Sequence, residues 1–185
     1  MNFVNDIISK IKYDSALRED VVKMAIVFAI SRVYKDGNLK GLDNKSFLVG
    51  TALSLSGFVA YHLFVKDLAA KIQVGDKNLQ KVVQIAAKVA CVVATPLLIK
   101  GKDISIENTS YVVAGEVANF LIGDCLDMDQ YISDPKHRKI ARDAIRAIMI
   151  TIVPRIVRGG RVTPKAIQEA GLKAVGFAAY NLLLA

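Results

Sequence analysis

Tryptophan is missing from this 185-residue chain, cysteine and histidine occur 2 times each, and proline only 4 times. Each scarcity removes a class of explanation. Without tryptophan, an interfacial belt at a membrane boundary would rest on tyrosine alone. Cys91 and Cys125 show no CxxC spacing, so neither a zinc ribbon nor a disulfide framework is indicated. Both read as core thiols. His62 lies inside an apolar stretch and His137 in a basic one, and neither stands at ligand or triad spacing from a cysteine or carboxylate. The chain therefore reads as non-enzymatic, with no cofactor and no metal site. Sustained two-residue alternation of β-branched residues is also absent, which excludes an all-β fold.

What is present is apolar and basic. Hydrophobic residues make up 53% of the chain and the mean hydropathy is +0.36, which rules out disorder. The length fits one domain, 1–185. A net charge of +8 favours anionic surroundings such as phosphate, lipid head groups or acidic partners. Phe3, Val4, Ile7, Ile8 and Ile11 recur at helical spacing, so Met1 to Lys12 is predicted to form a short amphipathic helix. A secretory leader would be continuously apolar, so this segment is expected to be retained on a protein surface or at a membrane interface.

Sliding the chain against itself by about 60 residues brings out three copies of one pattern. "GFVAYHLFV" from Gly57 matches "GFAAYNLLL" from Gly176, with "GEVANFLIG" from Gly115 as a weaker middle copy. A second block aligns "DVVKMAIVFAISRVYKDG" from Asp20, "AAKVACVVATPLLIKGK" from Ala86 and "DAIRAIMITIVPRIVRGG" from Asp143. Lys23, Lys88 and Arg146 then coincide, as do Ser31, Pro96 and Pro154, and Lys35, Lys100 and Arg158. Asp14, Asp76 and Asp134 precede the blocks as candidate helix caps, the last followed by Pro135 at the favoured first helical position. The expected architecture is all-α, with three tandem αα-hairpin repeats spanning about 1–65, 66–123 and 124–185 and six main helices besides the amphipathic start. First helices are predicted near Ser15 to Tyr34, Lys77 to Ile99 and Pro135 to Val157. Second helices are predicted near Lys45 to Val65, Thr109 to Ile122 and Pro164 to Leu184.

Ser46 to Val65 carries no formal charge over 20 residues, which as a helix spans about 30 Å, the thickness of bilayer hydrocarbon. The other helices hold isolated charges, and these need partners, an interface or a protein core. Lys23, Lys88 and Arg146 share one repeat position and suit either an anion or the head-group boundary of each helix. Glu116 occupies the slot taken by Phe58 and Phe177 in the other units, and Lys88 on the neighbouring helix of the same unit is the expected partner of a buried ion pair. Gly57, Gly115 and Gly176 recur at one position with Ala three residues on, a pattern for close helix packing. Arg155, Arg158, Arg161 and Lys165 surround Gly159 and Gly160 as the densest basic patch, a candidate contact for anionic lipid or nucleic acid. No aromatic residues interleave with these cations, so nucleic acid is not favoured. The acidic run Asp124, Asp127, Asp129 and Asp134 lacks the glycine and closing glutamate of an EF-hand and reads as a surface loop.

These features lead to a structural or scaffolding protein, embedded in a membrane or adjoining one, packing with other protein subunits in a larger assembly such as a virion. Two other readings are a small transporter with a pseudo-threefold helical bundle and a soluble intracellular basic protein that binds nucleic acid.

Overall fold

The computed structural model describes residues 8–9, 12–72 and 74–184. The predicted amphipathic start falls largely outside them. Every regular element among the described residues is helical, and six helices dominate: α1 (Ser15–Asp36), α2 (Lys45–Lys71), α3 (Lys77–Ile99), α4 (Ile106–Cys125), α5 (Pro135–Val157) and α6 (Pro164–Leu183). Single 3-10 turns at Lys40–Asp43 and Met128–Gln130 lie in two of the connections.

The helix starts follow from short polar side chains satisfying the orphan N–H groups of a first turn. Asp14 accepts from the Leu17 N–H at 3.0 Å, Asp76 from Asn78 and Leu79 at 2.8 and 2.9 Å, and Asp134 from Lys136 and His137 at 2.7 and 3.0 Å. Asn44 and Thr163 cap α2 and α6 in the same way. The stops are equally local. Gly37, Gly101 and Gly159 follow α1, α3 and α5 with φ of 69°, 63° and 77°, the left-handed conformation that ends a helix at least cost in a residue without Cβ. After α3 and α5 the next N–H also turns back, Lys102 onto the Leu97 carbonyl and Gly160 onto that of Arg155, completing Schellman closures. Pro96 and Pro154 sit in the last turns of their helices, where the helix continues only to Ile99 and Val157.

Two elements run past their expected ends. α2 does not stop at Val65; it passes through a π turn, Tyr61–Val65, and resumes as α-helix to Lys71. The sequence after Val65, KDLAAK, contains only helix-compatible residues, and no glycine or proline appears until Gly75, so nothing local ends the helix. α4 likewise extends beyond the predicted Thr109 to Ile122 at both ends.

The chain divides into two compact units, Met1–Ala25 with Asp43–Thr109, and Ile26–Leu42 with Ser110–Ala185. The division cuts α1 and α4 and does not follow the sequence repeats. In the first unit α2 runs antiparallel to α3, with Gly57 against Val92 and the Gln80 side chain donating to the Ala70 carbonyl at 3.1 Å. Leu17, Phe58, Tyr61, Ala69 and Val89 form its buried apolar core. In the second unit α5 and α6 form an antiparallel pair joined at three levels, Arg155 to Glu169, Thr151 to Lys173 and Asp143 to Asn181. Val27, Ala147, Ala166, Ala170 and Phe177 are its core, and Gly115 rests against Ile150 while Gly176 rests against Val27.

A Cβ added at Gly176 would lie 2.6 Å from Val27 Cγ2 and 2.9 Å from Val27 Cα, whereas one added at Gly50 would meet nothing within 4 Å. Gly176→Ala is therefore expected to destabilise the fold by about 1–3 kcal/mol through overpacking. Gly50→Ala, a helix-interior glycine in open space, is expected to stabilise by about 0.5–1 kcal/mol. Denaturant unfolding of the two variants checks the contrast.

Candidate functional site

The π turn places His62 at the centre of a polar cluster in the first unit. A π turn widens the helix by one residue per turn and changes the direction in which its side chains emerge. His62 is only 6% exposed. Its Nδ1 lies 3.2 Å from Asp14 Oδ2 and its Nε2 lies 3.1 Å from Asp20 Oδ2. Each carboxylate has a lysine as well: Lys66 donates to Asp14 at 3.1 Å, and Lys88 lies 2.5 Å from Asp20. The Tyr61 ring meets the imidazole edge-on at 5.3 Å, and the Lys88 ammonium sits 5.7 Å above the Phe58 ring.

Asp14 thus does two jobs, capping α1 through one oxygen and joining the cluster through the other. Burial pushes its carboxyl upward, but the Leu17 N–H, the Lys66 ammonium and His62 outweigh that and hold it well below the usual carboxylate range.

The second unit carries its own charged contacts. Glu116 is gripped by Arg146 through two parallel bonds, Nε to Oε2 at 3.1 Å and Nη2 to Oε1 at 2.8 Å, the bidentate geometry that fixes both partners. The Arg146 guanidinium also lies 6.0 Å from the Phe177 ring. Lys173 donates to Thr151 at 3.0 Å, and Asn181, fully buried, donates through one amide nitrogen to Asp143 at 2.7 Å and to the Phe177 carbonyl at 3.0 Å.

The expected pairing of Glu116 with Lys88 is corrected by these contacts. Glu116 takes its partner from α5, and Lys88 takes Asp20 on α1. The reason is that arginine on α5 offers the carboxylate a two-pronged match that a lysine cannot. Of the three equivalent cations, Lys23 is buried beside Glu19 at 2.9 Å, and all three have carboxylate partners. In the basic patch Arg155 is tied to Glu169 at 2.6 Å and Arg158 stacks 4.9 Å from the Tyr111 ring, while Arg161 and Lys165 are exposed. Gly57, Gly115 and Gly176 all sit at close helix approaches.

In the acidic loop, Asp129 is paired with Arg138, which lowers its pKa, and Asp134 is lowered by the backbone N–H groups of His137 and Lys136 that it caps. No group of three or more metal-ligating side chains occurs among the described residues. Cys91 is a free thiol in α3; the Asp124 and Cys125 side chains lie outside what is described.

Sequence reasoning missed the His62 cluster, although a signal for it exists. In the repeat alignment His62 and Asn181 occupy one position, Asp20 and Asp143 another, and the middle unit places Phe120 and Ile85 at both. A polar pair that becomes an apolar pair in one copy marks two positions that touch, and His62 with Asp20 and Asn181 with Asp143 do so.

Comparison with protein-family models, with curated proteins and with solved structures finds no match for this chain.

Two outcomes follow from the geometry. Glu116→Gln leaves a partly buried guanidinium without its counter-charge and is expected to cost about 1–3 kcal/mol, with an E116Q/R146M double variant losing less than the two single losses combined. For Asp14, a lowered folded pKa means a stabilisation complete above the unfolded value of 3.8 and shrinking as pH falls below it. Asp14→Ala is expected to cost about 1–2 kcal/mol at neutral pH. The gap to wild type should narrow steadily in urea titrations run below that value.

Proposed function

We propose that this chain is a non-enzymatic structural subunit embedded in a membrane, where its helices pack with other subunits of a larger assembly. The observation that carries the reading is α3. It is 23 residues long, about 34 Å as a helix, and apolar enough to cross a bilayer, yet only Val89 in it is buried and the other residues from 82 to 97 stay half-exposed. An apolar helix that its own fold covers only in part gains from another apolar phase against it. α2 meets the same length and composition criteria, with Leu48, Val49 and Phe64 each at least half exposed.

Three further features support a bilayer as that phase. Ser54 and Ser56 turn their hydroxyls back onto the Gly50 and Leu53 carbonyls at 2.9 and 2.6 Å, so these polar groups of α2 are satisfied without water. The charges within otherwise apolar helices, Lys88 and Glu116 among them, meet opposite charges on neighbouring helices, as a low dielectric demands. Exposed cations, Lys100, Lys102, Arg158, Arg161 and Lys165, gather in the connections that follow first helices, where lipid phosphates would meet them.

The hairpin repeat belongs to this reading. Four residues beyond the aligned cations Lys23, Lys88 and Arg146 stand Val27, Val92 and Ile150, and these are the residues that Gly176, Gly57 and Gly115 rest against. Each second helix thus meets a first helix of another copy at one register, the first copy on the second, the second on the third and the third on the first. Such a repeated contact supports three copies of one packing unit, a plan suited to a scaffold.

The test is extraction of membranes from expressing cells with alkaline carbonate. The protein is expected to stay in the pellet and to need detergent for release. Release as a helical, monodisperse species without detergent would overturn the reading.

A further inference from the structure

The geometry points to a proton-binding site formed by His62 with Asp14 and Asp20, the proton being the ligand that joins the start of α1 to the π turn of α2. This inference does not depend on membrane embedding. A neutral imidazole has one N–H donor and one lone pair, whereas both nitrogens of His62 face carboxylate oxygens, at 3.2 and 3.1 Å. Neither carboxylate is placed to supply the missing hydrogen. Asp14 is held ionised by the Leu17 N–H and Lys66, and Asp20 carries Lys88 at 2.5 Å. Only the imidazolium, with two donors, satisfies both contacts at once.

The surrounding groups come from each element of the unit that packs on the ring. α1 with the residue before it brings Asp14 and Asp20, with Glu19 and Lys23 on the same helix; α2 brings Tyr61 and Lys66; α3 brings Lys88 and Cys91. Binding one proton makes the second hydrogen bond, and releasing it sets a lone pair against a carboxylate. The link between α1 and α2 is therefore complete while the imidazolium and both carboxylates are charged, and it weakens as rising pH removes the imidazolium proton.

The repeat supplies the control. The aligned position is Asn181 in the third copy, whose amide donates to Asp143 without any exchangeable charge. His62→Asn keeps a donor toward Asp20 and removes the titration.

The test uses the full chain, in detergent micelles where extraction requires them. In a His137→Gln background His62 is the one remaining histidine, and nitrogen-15 NMR of its ring reports protonation directly. Expected is an imidazolium at pH 6 that gives way to a neutral ring by pH 9.5. The wild-type thermal midpoint is expected to fall by roughly 3 to 12 °C over the same titration, and that of H62N by less than half as much. A neutral ring at pH 6, an imidazolium that persists through pH 9.5, or equal pH slopes in wild type and H62N would each overturn the proposal. Should H62N fail to fold, the ring spectrum of the H137Q protein decides alone.

Discussion

A charged side chain on an apolar helix needs a partner that satisfies it, and in this protein Asp20, Glu116 and Glu169 each meet a cation from a neighbouring helix. Leaving one partner of a partly buried pair alone costs more than the pair gains, so the contacts act as matching conditions. Asp20 answers both His62 on α2 and Lys88 on α3, which binds three helices of the first unit through one carboxylate. Glu116 and Arg146 do the same for α4 and α5 in the second unit. The glycines set the distance at which such matching works. Gly57 lets α2 approach the backbone of α3 at Val92, and Phe58, the next residue, then lies beneath the Lys88 ammonium.

Much of this was legible before any coordinates. Asp14, Asp76 and Asp134 mark helix starts because a carboxylate before a helical stretch has one inexpensive use, and the α3 and α5 boundaries expected from the sequence coincide with those observed. The recurring glycines were readable as close approaches for the same reason. What escaped was choice of partner. Periodicity places Glu116 on a face of α4, but a helix has more than one neighbour, and nothing in the spacing distinguishes Lys88 from Arg146. His62 escaped because a histidine in an apolar run resembles a core residue until the π turn and the chain reversal bring Asp14 and Asp20 to its two nitrogens across separations of 48 and 42 residues. The continuation of α2 to Lys71 escaped because the repeat pattern ended at Val65 while helix propensity did not.

The interior and the exterior of the first unit carry different instructions. Inside, a polar network is closed on itself around His62. Outside, α2 exposes Leu48, Val49 and Phe64, and α3 exposes Leu79, Leu98 and Ile99 at its ends and is half-covered between them. A water-soluble core helix is covered on its apolar side, and a polar network of this kind is then a local matter of packing. Where the apolar surface faces lipid, the same network holds charge beside an apolar helix, and pairing each charge lowers the cost of keeping it there.

Lipid cover over α3, on which the proposed embedding rests, is reported most directly by spin labels. Labels are placed singly from Val82 to Leu98 in a chain whose Cys91 and Cys125 have been replaced, and the protein is reconstituted in liposomes. Embedding predicts that labels on the more exposed face near the middle of the helix are reached by oxygen and shielded from a water-soluble nickel chelate. Labels at that depth relaxed by the chelate and not by oxygen would contradict it.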